Sequence, residues 1–172
     1  SLVVSGEINN LHVKLVTLSN LGEIAYHEER LADAAELFQE STAVSRTIGD
    51  ERNLARSLRW LAMVHIAQGQ LMTARVVLQE ALEIAQAGQA DPLAIEVLWG
   101  VANWLYAQGD GQEAADLVRL VLTHPATQIA TKKEAESLGA KLAIAPLDLS
   151  EEAEVALPEL VARMHGRLRV VN

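Results

Sequence analysis

ERNLARSLRWLAMVHIAQGQLMTARVVLQEALEIAQAG, residues 51–88, is the stretch that decides how this chain folds. Apolar residues recur in it at steps of three and four, in two runs separated by a short polar turn, which is the pattern of two amphipathic helices. Gly69 lies between the runs, and glycine commonly ends a helix. The stretch therefore predicts a helical hairpin, with helices near 51–68 and 71–87.

The same pattern recurs on both sides of this hairpin at a spacing of 40 residues. Columns of equivalent residues are Gly22, Ala62 and Ala102; Leu18, Leu58, Leu98 and Leu138; Leu21, Leu61 and Val101; Ala34, Ala74 and Ala114; and Phe38, Leu78 and Val118. So many columns in one register indicate internal repeats. Columns that stay apolar are expected to hold the core, and small residues should let the two helices of a hairpin approach closely.

The register sets the predicted domain organisation. Hairpins are expected at 11–47, 51–87 and 91–124, with a capping helix at 126–142. Residues 1–10 align with the second helix of a unit, so we expect the end of a truncated preceding repeat there. At the turn, Gly69 and Gly109 follow an Ala-Gln pair, whereas the first unit has Glu29.

An amphipathic helical tail is predicted for residues 143–172. Its pattern begins at Ser150, a plausible cap, and is interrupted by Pro158, so it is either two short helices or one kinked helix. Such a tail docks either on the last repeat or on another chain.

The repeat columns resemble the tetratricopeptide repeat (TPR). The residues that carry the resemblance are Leu21, Gly22, Ala34 and Phe38; Leu61, Ala62, His65, Gly69, Ala74, Leu78 and Ala81; and Val101, Ala102, Leu105, Gly109, Ala114, Val118, Val121 and Pro125. Two features depart from the family's pattern. The tetratricopeptide repeat usually has a period of about 34 residues, and the position of the first helix where it usually has tryptophan is occupied here by Leu18, Leu58 and Leu98. The resemblance implies an all-α fold, a right-handed superhelical stack of antiparallel hairpins.

Longer repeats of this kind resemble those of large bacterial signalling ATPases of the maltose-regulator (STAND) type. In that family the repeats act as the sensor arm of a switch. The resemblance implies a cytoplasmic, bacterial signal-transduction context, with any ATPase outside these residues.

Composition narrows the classes of function. The chain has 14 basic and 23 acidic residues, a formal charge of −9 that would repel nucleic acid. It has no cysteine, and no apolar stretch approaches the roughly 18 residues of a membrane span. No phosphate loop, dinucleotide fingerprint or nucleophile elbow is present, and the five histidines lack metal-binding spacing. We therefore expect no enzyme activity, cofactor, metal, nucleic acid or membrane partner.

Where the residues of a column change chemical type between units, their side chains are available to bind a ligand. Four such columns share a face of the first helix of each hairpin, which in tetratricopeptide stacks lines the concave groove. The candidate binding residues are Val16, Arg56 and Glu96; Ser19, Arg59 and Trp99; Glu23, Met63 and Asn103; and Tyr26 and Tyr106. Trp99 and Tyr106 would supply contact area, and Arg56 and Arg59 could hold a carboxylate or phosphate. Alternatively, Trp99 merely packs between repeats.

These patterns favour a non-catalytic interaction module, the sensor or scaffold part of a multidomain protein that binds a protein, a peptide or a small effector. An alternative from another class is a self-association module, in which repeat ends or the tail helix join copies into a homo-oligomer. An enzyme is the third and weakest reading.

Overall fold

A computed structural model describes residues 2–88, 91–142 and 157–169, with side chains from Asn9 onward. In these ranges the chain forms eight helices and no strand. The helices are α1 (Leu2–His27), α2 (Leu31–Ile48), α3 (Glu51–Ala67), α4 (Leu71–Ala87), α5 (Asp91–Gln108), α6 (Gly111–Thr123), α7 (Ile129–Lys141) and α8 (Leu157–Leu168). The predicted all-α class is confirmed.

The helices pair as hairpins that stack in chain order. Pairs α1–α2, α3–α4 and α5–α6 form the hairpins, and α2 packs on α3 as α4 packs on α5. Helix α7 lies against α6 and touches α5. The stack of hairpins expected from the repeats is therefore the fold observed. Its largest apolar core surrounds α5, whose Leu98, Val101 and Leu105 are fully buried.

A left-handed residue forms the turn inside each hairpin. Gly69 and Gly109 have φ values of 73° and 93°, which glycine adopts without steric cost. Glu29 occupies the same turn in the first hairpin with a φ of 60°. A residue with a Cβ is strained in this region, so the first turn has the least favourable of the three sequences.

The beginning of the chain differs from the expected arrangement. Residues 1–10 were expected to end a preceding repeat, with a new helix starting near 11, but α1 runs unbroken from Leu2 to His27. No proline or pair of glycines interrupts this segment, and a single Gly6 costs a helix only about 1 kcal/mol. Nothing local therefore stops the helix between residues 2 and 11.

A small residue lets the two helices of the first hairpin pack closely together, as the sequence suggested. A Cβ on Gly22 would lie 2.8 Å from Cε1 of Phe38 on α2. The buried Phe38 ring fills the space that glycine leaves. At the equivalent positions the second hairpin has Ala62 and Leu78, and the third has Ala102 and Val118. In both pairs the first residue is larger than glycine and the second is smaller than phenylalanine.

Helix α8 packs on α4 and α5, along the seam between the second and third hairpins. Its apolar side chains are buried there: Leu157, Leu160, Val161, Met164 and Leu168. Pro158 lies in the first turn of the helix, where proline is tolerated, so it does not kink the described part. The predicted cap Ser150 lies outside the described residues.

Polar contacts join α8 to the rest of the stack. His165 Nε2 lies 3.0 Å from Glu83 Oε1, and Arg167 pairs with Asp110 and Glu113. Within the described residues, no helix is both long and apolar enough to cross a membrane.

Candidate functional site

The helices that open the hairpins, α1, α3 and α5, share one face of the stack with α7. Helix α3 packs closely on α5, α5 touches α7, and α1 touches α3 only slightly. We call this the helix-A face. Most of the candidate binding residues lie on it, and their charges and aromatic rings form one connected group.

Arg56 and Glu96 form a two-pronged ion pair across α3 and α5. Arg56 Nε donates to Glu96 Oε2 and Arg56 Nη2 donates to Glu96 Oε1, each at 3.0 Å. This hydrogen bonding raises the pKa of Arg56 above its ordinary value, while burial opposes the rise. Glu96 is buried, so Arg56 is already occupied by a carboxylate of its own chain.

Arg59 is the most unusual residue of the helix-A face. Its residue surface is only 5% exposed, its guanidinium carbon lies 4.2 Å from the centre of the Trp60 ring, and a Cβ on Gly100 would crowd its stem at 3.1 Å. Its Nε and Nη1 are buried without a hydrogen-bond partner. Burial lowers the pKa of Arg59 from its ordinary value, and the nearby carboxylates Glu134 and Glu96 oppose this.

Glu134 of α7 reaches into the same group. Its Oε2 accepts a hydrogen bond from Trp99 Nε1 at 2.8 Å and lies 3.9 Å from Arg59 Nη1. That distance is too long for a hydrogen bond. Asn103 Nδ2 donates to the carbonyl oxygen of Trp99 at 2.8 Å, which holds Asn103 on its own helix. Glu134 thus forms a hydrogen bond with Trp99, whereas it acts on Arg59 only through its negative charge.

Aromatic rings line the other side of Arg59. Tyr26 and Trp60 have ring centres 5.4 Å apart, and Phe38 stacks parallel to Trp60 at 5.8 Å. Burial raises the pKa of Tyr26; the charge of Glu134 raises it further and that of Arg59 lowers it. Tyr26, Arg59, Trp60, Trp99 and Glu134 therefore share one electrostatic environment, which we call the Arg59 cluster.

An open cleft of about 520 Å³ adjoins this cluster at the turn of the first hairpin. Its lining residues are Tyr26, His27, Glu29, Leu31 and Ala67. Tyr26 belongs both to the cleft and to the Arg59 cluster. The cleft therefore borders the Arg59 cluster at Tyr26, whereas Arg59 itself does not line it.

The remaining candidate residues are less closely joined to the cluster. Glu23 contributes to the electrostatic environment of both Arg56 and Arg59. The hydroxyls of Ser19 and Ser41 lie 3.1 Å apart, and those of Ser41 and Ser57 lie 2.7 Å apart.

Three other candidate binding residues differ in their exposure to solvent. Met63 is buried, whereas Val16 and Tyr106 are exposed, and no described hydrogen bond links either to the cluster. Trp99, which sequence reasoning offered as an exposed contact, is packed and hydrogen-bonded. The helix-A face is therefore largely filled by its own side chains.

Sequence reasoning missed two members of the cluster, Trp60 and Glu134. Glu134 aligns with Lys14, Leu54 and Ala94 at the 40-residue spacing. That column changes chemical type as the chosen columns do, so extending the same test to the capping helix would have found it. Trp60 aligns with Asn20 and Gly100, a column that also changes chemical type but was not assigned to the binding face.

Within residues 2–88, 91–142 and 157–169, no group of three His, Asp or Glu side chains could hold a metal ion. The face instead combines a buried cation, three carboxylates and aromatic rings. This combination suits recognition of a charged or amphipathic group.

Comparison with known proteins adds one positive finding. A family model described as tetratricopeptide repeat matches residues 13–87 and, overlapping this, residues 53–124. Searches of curated proteins and of solved structures found no match.

Proposed function

The chain belongs to the tetratricopeptide repeat family, whose repeats generally act as non-catalytic protein-interaction modules; on that premise, we propose that its helix-A face binds a partner protein or peptide by accepting an acidic group at Arg59. The observation that carries the proposal is the buried Arg59 guanidinium, whose Nε and Nη1 lack hydrogen-bond partners. Leaving such donors unpaired in the interior is costly.

A carboxylate or phosphate oxygen would accept a hydrogen bond from such a buried donor. Nε and Nη1 lie on different edges of the planar guanidinium, so a single acidic group would satisfy one of them rather than bridge both. Arg56 cannot serve because Glu96 already occupies it. Among the described cations that are buried on the helix-A face, Arg59 is therefore the one with donors left unpaired.

Binding would require the ligand to replace Glu134 near Arg59. The Glu134 carboxylate already stands 3.9 Å from Arg59 Nη1, and a second carboxylate beside it would meet repulsion. Helix α7 contacts only α5 and α6 among the described helices, so a shift of α7 would disturb few neighbours. A shift of α7 would free both Arg59 and the indole N–H of Trp99.

We extend the proposal to the context in which such binding acts. The repeats would serve as the sensor or scaffold part of a bacterial multidomain signalling protein, and a small acidic effector is a further ligand class. The 40-residue period supports this context, and the proposed shift of α7 would be the means by which ligand binding is passed to a neighbouring domain.

The proposal is tested by titrating the full chain with peptide pools and measuring binding by tryptophan fluorescence. The pools carry a free C-terminal carboxylate, an amidated C-terminus with internal acidic residues, a phosphoserine, or no acidic group. We expect binding of an acidic pool, a loss of at least tenfold in Arg59→Met and a gain in Glu134→Gln.

Arg46→Met is the matched control, because Arg46 forms an exposed pair with Glu80 away from the cluster. It should bind as the unmodified chain does. Equal binding by Arg59→Met, or preference for the pool without acidic groups, would refute recognition at Arg59.

A further inference from the structure

The outward face of α1 carries exposed apolar side chains that are not part of the Arg59 cluster. Val13, Val16, Leu21 and Ile24 are 64%, 55%, 47% and 51% exposed. With Thr17 and Asn20 they form one continuous strip along the helix, which we call the α1 strip. Leu21 belongs to a column expected in the core, so its exposure departs from the repeat pattern.

The equivalent strips of α3 and α5 are covered by helices. Leu61 and Val101, in the column of Leu21, are buried, as are Val64 and Trp104 in the column of Ile24. The cover is the second helix of the hairpin before: α2 lies on α3, and α4 lies on α5. Twice in this chain, therefore, the same strip is a surface that takes a helix.

Among the described helices, α1 packs on α2 and touches α3, and none lies on the α1 strip. Among the described residues, α7 at the opposite end of the stack exposes one large apolar side chain, Ile129 at 87%, and so offers no apolar counterpart of similar extent. The exposed side chains of α7 include Lys133, Glu136 and Lys141, which are charged. A head-to-tail contact between copies would place charged groups on an apolar strip, whereas a contact of α1 with α1 would not.

The spacing of the α1 strip is symmetric about its middle. Reading from either end gives an apolar residue, an apolar residue, and then a polar one: Val13, Val16, Thr17 in one direction and Ile24, Leu21, Asn20 in the other. We propose that two copies of this chain pair through the α1 strip, with their α1 helices antiparallel. Val13 then meets the partner's Ile24, and Thr17 meets the partner's Asn20.

Each layer of this arrangement matches like with like. The apolar layers bury methyl groups that are exposed in the single chain. In the central layers the Asn20 amide of one copy would donate to the Thr17 hydroxyl oxygen of the other, since the Thr17 hydroxyl itself donates to the Val13 carbonyl oxygen at 2.8 Å. A polar layer inside an apolar helix pair fixes register at some cost in stability. An isologous contact of this kind also closes on itself, so it produces dimers rather than filaments.

Charge permits this contact although the whole chain is acidic. The formal charge of −9 opposes association in general, but none of the six side chains of the α1 strip is charged. Lys14, beside the strip, is paired with Glu40 at 2.6 Å. The surface that two copies would bring together is therefore neutral.

The contact is small, so the dimer should be weak. One helix face per copy is below the roughly 1,600 Å² of a standard interface, and a Kd between about 1 μM and 1 mM is expected. Sedimentation velocity of the full chain across that concentration range measures it directly. The mass should rise from 18.6 kDa toward twice that value.

Substitutions on and off the strip identify the surface. Ile24→Glu puts a carboxylate into an apolar layer without touching the core, and it should weaken association at least tenfold. Met72→Glu is the matched control, since Met72 is an apolar residue of α4 that is 65% exposed, and it should associate normally. Circular dichroism establishes that both variants are folded.

Disulfide trapping fixes the orientation. Val13→Cys mixed with Ile24→Cys should cross-link efficiently, whereas Val13→Cys alone should not, because antiparallel helices separate the two copies of residue 13. A single-chain mass at every concentration overturns the proposal. So does association that survives Ile24→Glu, which would place the contact on α7 or α8, and so does efficient cross-linking of Val13→Cys alone, which would mean parallel helices.

Discussion

Arg56 and Glu96 stand one repeat apart, in the same column of successive units, and pair through two hydrogen bonds of 3.0 Å. The pair joins α3 to α5 across the boundary between the second and third hairpins. Because Glu96 is buried whereas Arg56 is partly exposed, the two ends of the pair are not equivalent.

Removing the arginine should therefore harm the fold more than removing the acid. Arg56→Met leaves a buried carboxylate unpaired and should lower the free energy of unfolding by about 3 kcal/mol. Glu96→Gln keeps a neutral acceptor and should cost about 1 kcal/mol. Urea denaturation measures both values.

The exposed pair Arg46–Glu80 is the control for that comparison. Arg46→Met should change the free energy of unfolding by less than about 1 kcal/mol, because exposed ion pairs contribute little. Equal losses in Arg56→Met and Arg46→Met would mean that the buried pair contributes no more than a surface contact.

Arg59 should behave in the opposite way from Arg56. Its guanidinium is buried without a hydrogen bond from Nε or Nη1, so the chain bears the cost of desolvation with little in return. Arg59→Met keeps most of the side-chain volume, and we expect the free energy of unfolding to stay the same or to rise by about 1 kcal/mol.

Thermal and urea unfolding of Arg59→Met would decide this point. A residue kept for binding should be neutral or unfavourable for stability, whereas one kept for structure should be favourable. A loss of more than about 2 kcal/mol would show that contact with Trp60 and the field of Glu134 stabilise the fold strongly.

Glu29 offers a site for gain of stability. It adopts a φ of 60° in a turn where the other two hairpins have glycine. Glu29→Gly should raise the free energy of unfolding by about 1 kcal/mol, since glycine removes the steric strain of the left-handed conformation. The reverse change, Gly69→Glu, should lower the free energy of unfolding by a similar amount. An unchanged free energy of unfolding in both variants would rule out strain at these turns.

Gly22 and Phe38 should show energetic coupling. Gly22→Ala places a methyl group 2.8 Å from the Phe38 ring, and we expect a loss of about 1 kcal/mol after the gain in helix propensity is included. Combining it with Phe38→Leu reproduces the Ala62–Leu78 pair of the second hairpin. The double variant should therefore recover part of the combined loss of the single ones, and simple additivity would rule out the close packing as the cause.

Sequence periodicity was enough to predict the hairpins because each helix is amphipathic and each turn has its own local signal. The column of Leu18, Leu58, Leu98 and Leu138 is buried, as its apolar character suggested. The long α1 was not foreseen, because the equivalence of residues 2–4 with a second helix says nothing about whether a turn follows. In that segment the backbone simply has no residue that breaks a helix.

Chemical variation within a column proved an ambiguous signal for the site. The column of Val16, Arg56 and Glu96 changes type because two of its members pair with each other across the repeat boundary. Trp99 varies because α7 supplies Glu134 as its hydrogen-bond acceptor. Both partners come from other units, so contacts between repeats cannot be separated from contacts with a ligand by inspecting one column.

The arrangement of α8 predicts which parts of the stack open first. Its buried residues Leu160, Met164 and Leu168 pack on α4 and α5, so the described part of α8 covers the second and third hairpins and does not reach the first. Stability in a stack is close to a sum of unit and neighbour terms. Amide hydrogen exchange should therefore be slowest in α4 and α5 and fastest in α1, with α8 protected rather than frayed.

Met164→Ala tests the cause of this order. Removing a fully buried side chain should cost about 2 to 5 kcal/mol, and the loss of protection should begin in α8 and extend to α4 and α5 while α1 and α2 keep their rates. Met72→Ala, at an exposed position of α4, should change none of them. If α8 exchanges freely in the unmodified chain, or if Met164→Ala speeds exchange in α1 as much as in α5, then α8 does not stabilise the seam on which it lies.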